Sequence, residues 1–186
     1  MIIIVYIYIK NMSTEEGRDE ILNKINALKT RYYSTNTKHM LFKNEQKFDC
    51  AKTIADTIDL NALFNSIIQI KNTNELHFNY TVFKTVVNPS VYHDLIIFIF
   101  KTNDHILETC TSYTVYIDVK GLTMTGVERY KDFVVLLSDK GKINGKNFLE
   151  KLTNVYIINP PFMISNIGKI LLPLLDKIVK DKIVLM

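Results

Sequence analysis

The chain has 186 residues, no tryptophan and only two cysteines, Cys50 and Cys110. Two thiols cannot build the disulfide framework that small secreted domains depend on, so reduced, buried thiols in a cytoplasmic protein are expected. The four histidines, His39, His77, His93 and His105, have no metal-ligand spacing among themselves or with the cysteines. No metal and no other cofactor is therefore assigned. Blocks of five or six like charges are also missing. The net charge of +4 and pI near 8.9 come from lysines scattered among acids, which leaves no nucleic-acid footprint and suits a membrane surface equally well. The apolar opening Met1–Ile9 is too short to span a bilayer and lacks a basic start or a small-residue cleavage site. It reads as an extra strand, or as a leader ahead of a start at Met12.

With 47% hydrophobic and 23% charged residues, the chain has the composition of a globular domain able to bury about 70% of its unfolded surface. Ser13 and Glu16 form a capping box. The helix behind it buries Ile21, Leu22, Ile25 and Leu28, and Ser34–Thr37 closes it in a loop. His39–Leu60 reads as two short helices joined at Lys47–Asp49, with Asp49 capping the second. Helical spacing continues from Leu60 to Ile70 and breaks at Asn72–Asn74. His77–Val87 and Leu95–Phe100 are rich in β-branched and aromatic residues and read as strands, the second apolar on both faces as a sheet interior requires. Thr114–Val119 is the next strand, and Lys120-Gly121-Leu122 leaves it. Only Thr102–Thr111 separates these last two strands, too few residues for a parallel crossover, so an antiparallel pairing is expected. Asp118, before the Gly121 turn, reads as a hydrogen-bonded structural carboxylate: no second acid, nucleophile or histidine stands at a recognisable spacing, and no catalytic residue is assigned.

Thr125–Ser138 is an amphipathic helix with Val127, Tyr130, Phe133, Val134 and Leu137 inward, followed by a loop at Gly141–Gly145. Val155–Ile158 then reads as a strand buried on both faces, and Asn159-Pro160-Pro161 stops it by removing two backbone donors. Beyond Phe162, the residues Ile164, Ile167, Ile170, Leu171, Leu174, Leu175, Ile178 and Val179 recur at three- and four-residue spacing. They mark a helix with a wide apolar stripe, with Ser165 and Asn166 available as N-caps and Pro173 kinking it. A terminal strand ends the chain. Taken alone, this is a core helix covering a sheet.

The run strand-N-x-P-F, apolar helix with an inner proline, L-L-D, K-I resembles the close of a CRAL-TRIO domain, the fold of phosphatidylinositol/phosphatidylcholine transfer proteins and of tocopherol and retinal carriers. Asp118-Val119-Lys120-Gly121-Leu122 is similar to the family's D-L-K-G-L, and Phe42, Lys47, Phe48, Asp49, Ala51 and Lys52 match its N-terminal helical pattern. The resemblance implies an α/β fold: a mixed, mainly parallel sheet covered by helices and preceded by a small helical module, divided as 1–70 and 71–186. It implies that Phe162, Ile167, Ile170, Leu171, Leu174, Leu175 and Ile178 belong to a gate over a lipid cavity, and that Glu150 and Lys182 hold a lipid head group. Gln46 stands where the family has an arginine, Val179 where it has the threonine paired with Lys182, and Leu149 where it has proline. The pair of helices that the family places between its strands is expected to be missing at Thr102–Thr111, making this a shortened member with one thinner wall. The function implied is non-catalytic binding and transfer of a lipid or other hydrophobic molecule, in the cytoplasm and at transient membrane surfaces. A protein-interaction scaffold with a filled core is the alternative, and an enzyme the third class.

Overall fold

The computed structural model describes residues 15–37, 41–144 and 146–186. The chain forms two compact units, Met1–Gln69 with Val82–Val91, and Ile70–Thr81 with Tyr92–Met186. Ser13, the Met1–Ile9 segment, Met12 and His39 fall outside the described residues.

The first unit is helical. Helix α1 (Glu15–Thr35) packs against α2 (Lys43–Ala55) and α3 (Leu60–Ile67). Ile25 is buried and Ile21, Leu22 and Leu28 are half-buried, the stripe read from their spacing. The helix runs through Ser34 and Thr35, whose hydroxyls donate back to the Arg31 carbonyl at 2.7 and 3.2 Å. Helix α2 is continuous. The expected break at Lys47–Asp49 does not occur, because no glycine or proline interrupts a stripe of Gln46, Cys50, Ala51, Ile54 and Ala55, all buried. Burial pushes the Cys50 thiol above its usual pKa. Cys110, by contrast, is half-exposed at the end of a helix, not buried. Asp59 caps α3 by accepting from the Ala62 amide at 3.0 Å, and the helix stops at Ile67 because Ile68 turns extended.

Five strands form one sheet in the order β1 (Ile68–Lys71), β2 (Glu75–Asn79), β3 (Tyr113–Asp118), β4 (Leu152–Ile158), β5 (Ile183–Leu185). Strands β2 to β5 are mutually parallel, with His77, Tyr116, Tyr156 and Val184 in register across them. Strand β1 returns into β2 through Asn72–Asn74, with positive φ at Asn72 and Thr73. So short a connection joins only antiparallel neighbours. The mixed, mainly parallel sheet expected from the sequence is what forms.

Two strand readings fail between β2 and β3. His77–Val87 is strand only to Asn79, and Tyr80–Val86 is helix α4. Leu95–Phe100 lies inside helix α5 (Tyr92–Thr109), behind a 3-10 turn at Pro89–Val91. Six apolar residues in a row look like a buried strand in a short window. Over the full length, Tyr92, Leu95, Ile96, Ile99, Asn103 and Ile106 are buried at three- and four-residue spacing, and length arbitrates for the helix. The connecting helices expected to be missing are therefore present, and both neighbours of β3 are parallel to it, not antiparallel.

Helices α6 (Met124–Asn144) and α7 (Lys146–Lys151) connect β3 to β4. Helix α6 runs through the loop expected from Gly141 to Asn144. Val127, Tyr130 and Phe133 are buried on its inner side. Gly126, whose amide donates to the Thr123 hydroxyl at 3.1 Å, leaves room for the Tyr80 hydroxyl that any side chain there would strike. Sequential strand order with right-handed crossovers puts α5, α6 and α7, and the segment after β4, on one face of the sheet. Burial agrees: Leu76 and Val155 are buried, while His77, Tyr116 and Tyr156 on the opposite face stay half-exposed and stack with ring centroids 4.6 and 5.0 Å apart. No helix among the described residues is long and apolar enough to cross a membrane.

Candidate functional site

Strands β3 and β4 end side by side, and the motif residues fix how the chain leaves them. Asn159 adopts φ +54, a left-handed conformation that asparagine tolerates better than most residues. Its side-chain amide donates to Asp118 Oδ1 at 2.9 Å, and the same oxygen accepts from the Lys120 amide at 2.9 Å. The Val119 amide donates to the Ile158 carbonyl at 3.0 Å. Asp118 is thus the structural carboxylate read from the sequence, tying two strand ends together.

Behind this tie, Pro160 and Pro161 turn the chain into α8 (Ile164–Leu171), a 3-10 turn at Leu172–Leu174 and α9 (Lys177–Lys180). The single kinked helix of the sequence reading is a helix broken at Pro173, and a second cap at Asp176, whose carboxylate accepts from the Ile178 amide at 2.8 Å, starts α9. The N-cap of α8 is Met163, with no side-chain bond, not Ser165 or Asn166, because the helix already begins at Ile164. Strand β4 was expected to be buried on both faces, yet Tyr156, Ile157 and Ile158 are half-exposed. Of the gate residues, Ile167 alone is buried, at 2% exposure. Phe162 is fully exposed, Ile178 is 39% exposed, and Ile170, Leu171, Leu174 and Leu175 are half-buried. Met163 and Leu172 add to the exposed apolar surface, with Lys169 and Lys177 on its solvent side.

Lys182 enters β5 with its ammonium turned back onto the end of α7. It donates to the carbonyls of Leu149, at 3.0 Å, and Leu152. Orphan carbonyls at a helix C-terminus attract a cation by hydrogen bonding and by the helix dipole. Tyr113 acts beside it: fully buried, it donates its hydroxyl to the Phe148 carbonyl at 3.0 Å, and desolvation pushes its pKa far up. Glu150, next to Leu149 in the chain, is exposed, and its carboxylate makes no hydrogen bond or ion pair with another described residue. The fold thus brings Lys182 to the stretch of α7 that carries Glu150. Gln46 belongs to the first unit, buried, where its amide donates to the Thr37 carbonyl at 2.8 Å.

A model of the CRAL/TRIO domain matches residues 66–186, more than half of the chain. The chain belongs to the CRAL/TRIO family. No curated protein matches it. As a CRAL/TRIO domain it is of a kind that binds lipids or small hydrophobic ligands, generally without catalysis. Within it, sequence reading passed over Tyr113 and Asn103. Tyr113 stands just before the strand read as Thr114–Val119. Asn103 was hidden by the strand reading of Leu95–Phe100, although a lone asparagine on an otherwise apolar helical stripe is a legible signal.

Proposed function

We propose that this protein binds a lipid, or a molecule of similar hydrophobicity, and passes it between membranes, with Phe162–Lys180 as the lid. The observation that carries this reading is an imbalance: the most apolar segment after β4 buries only Ile167, while Phe162, Met163, Leu172 and Ile178 remain exposed. A helix apolar on its solvent side needs another partner, and each lipid methylene withdrawn from water contributes about 0.8 kcal/mol. Lys169, Lys177 and Lys180 flank the same surface, and each basic residue near an anionic bilayer adds about 1 kcal/mol. The lid thus has one side for an acyl chain and one for a membrane, in a cytoplasmic protein that visits membranes transiently. The break at Pro173 supplies a joint between α8 and α9.

Glu150 and Lys182 are the proposed head-group pair. Two of the three Lys182 N–H donors are taken by carbonyls; the third is directed to a phosphate or inositol hydroxyl in this reading, with exposed Glu150 as acceptor. The chemistry is binding, not bond making. Mass spectrometry of an organic extract of the purified protein should find a co-purified lipid. Leu174→Glu should remain folded and lose vesicle-to-vesicle lipid transfer, whereas a folded variant that transfers at the parent rate removes the lid. A protein that never acquires lipid is instead the filled-core scaffold. Lys182→Ala should weaken binding to phosphatidylinositol phosphate vesicles more than to neutral ones, and equal losses would leave Lys182 as the cap of α7 alone.

A further inference from the structure

The buried polar side chains among the described residues are Gln46, Ser66, Asn88 and Asn103. Gln46 donates to the Thr37 carbonyl and Ser66 to the Leu63 carbonyl, and Asn88 accepts from the amide and hydroxyl of Ser90, with its Nδ2 alone unpaired. Asn103 differs. It is 0% exposed, and neither its Nδ2 nor its Oδ1 has a hydrogen-bond partner. An amide stripped of water with both groups unpaired is strongly unfavourable, so buried carboxamides ordinarily have partners.

The position of Asn103 says what kind of partner is missing. It lies on the buried stripe of α5 between Ile99 and Ile106, on the helix that packs against β3 and α6. Leucine has a similar volume and would suit that stripe without an unpaired group. A carboxamide offers one donating and one accepting group, and both are unused. An ester, an ether or an ionised carboxylate only accepts, and an ammonium only donates. A hydroxyl does both. We propose that Asn103 is the polar anchor of the ligand site, pairing with the hydroxyl of an otherwise apolar molecule held against α5. The inference rests on the lipid-binding reading and narrows it to a hydroxyl-bearing ligand.

The test compares binding of a pyrene-labelled long-chain alcohol, its methyl ether and the matching alkane by the full chain and by Asn103→Leu. The parent should prefer the alcohol to the alkane by about tenfold or more, the size of effect expected when a buried polar pair is left unmade, with the ether between them. In Asn103→Leu that preference should fall to within about twofold, and the ligand-free variant should melt higher than the parent, because an unpaired amide has been removed. Should the leucine variant not fold, Asn103→Ala carries the same comparison of alcohol with alkane. Retention of the alcohol preference in either variant overturns the proposal, as does a parent that binds all three probes equally. A leucine variant that melts lower while keeping the preference makes Asn103 the seat of a structural water. If the parent takes up none of the probes, and extracts contain no lipid, the lipid-binding reading itself fails.

Discussion

Helices α5 and α8 are both rich in leucine and isoleucine, and the fold uses them in opposite ways. Helix α5 buries Tyr92, Leu95, Ile96, Ile99, Asn103 and Ile106 and turns His93, Asp94, Lys101, Asp104 and His105 away from that stripe. Helix α8 buries Ile167 and nothing else, and the 3-10 turn and α9 beyond it bury no residue at all. Mean hydropathy misleads here, since α8 is on average the more apolar of the two. What separates them is the other side of each helix: α5 has a charged complement to its apolar stripe, whereas the segment around α8 continues apolar onto the solvent side at Phe162, Met163 and Leu172. An apolar stripe with a polar back belongs to the core. An apolar surface with an apolar back is held for a partner.

Truncation should expose that difference at its largest. Leu95→Ala or Ile106→Ala, at sites 0% and 1% exposed, should cost about 2–5 kcal/mol through lost burial and the cavity left behind. That corresponds to a fall in melting midpoint of roughly 5–15 °C in a chain of this size. Phe162→Ala and Leu172→Ala should stay within about 0.5 kcal/mol of the parent, as exposed substitutions do. Thermal melts of the four variants decide it. A large loss at Phe162 or Leu172 would put those side chains into the core and dissolve the contrast.

Alkaline pH probes the same core from its tyrosines. Burial pushes Tyr130 on α6 up to about 12 and raises Tyr92 on α5 and Tyr80 as well, with the Arg129 guanidinium opposing the rise in all three. Each raised phenol favours the neutral form in the folded chain, so its contribution is intact below the unfolded value near 10 and is lost as pH climbs through the folded value. Tyr130 alone then accounts for on the order of 2 kcal/mol between about pH 10 and pH 12. Denaturant midpoints across that range should fall steeply, and phenolate absorbance should show a late class of tyrosines titrating only with unfolding. A full phenolate signal from a folded chain at pH 11 would contradict the burial of this side of α5.

The tie at the far end of the sheet is worth less. Asn159→Ala removes the bond to Asp118 and leaves a side chain in the left-handed region that disfavours it, for a cost of about 1–2 kcal/mol. Asn159→Gly should recover part of that by relieving the backbone. Denaturant unfolding of the two variants separates conformational strain from hydrogen bonding, and equal losses would assign the whole effect to the Asp118 bond.

The parts of this architecture legible in the sequence were those where local chemistry and tertiary need agree. Strand β3, its Asp118 and Gly121 exit and the Asn159-Pro160-Pro161 turn announce themselves in this way. Helix α6 shows a clean helical period. Helix α5 was lost because a six-residue apolar run satisfies both a buried strand and a buried helix face, and only the flanking Tyr92, Asn103 and Ile106 settle the period. The exposure of the lid was not legible either, since apolar spacing states which side chains need cover and not whether another element supplies it. Glu150 and Lys182 came from family resemblance alone. Nothing local foretells that Lys182 reaches back to the carbonyls of Leu149 and Leu152, a contact that depends on β5 lying beside β4.

The smallest expected effect sharpens the comparison most, because it asks why α8 ends where α5 would have continued. Pro173 removes one backbone donor and sits in the 3-10 turn at Leu172–Leu174, where the Leu175 amide closes on the Leu172 carbonyl at 3.1 Å. The second stop is independent of it: Leu175 is extended at ψ 153, and Asp176 caps α9 through the Ile178 amide. Pro173→Ala alone should therefore leave two helices, with helical circular dichroism unchanged and stability within about 0.5 kcal/mol, the range of substitutions at exposed sites. Removing the second stop as well, in Pro173→Ala with Asp176→Ala, takes away a cap worth about 1 kcal/mol in favour of the break and leaves a stretch from Lys169 to Lys180 dominated by leucine, alanine and lysine, with no glycine or proline. That double variant should gain helical signal and lose lipid transfer, since a fused rod has no joint. A gain of helix in the single variant would make Pro173 the sole breaker, and a fused rod that still transfers lipid would show that the lid moves as one piece.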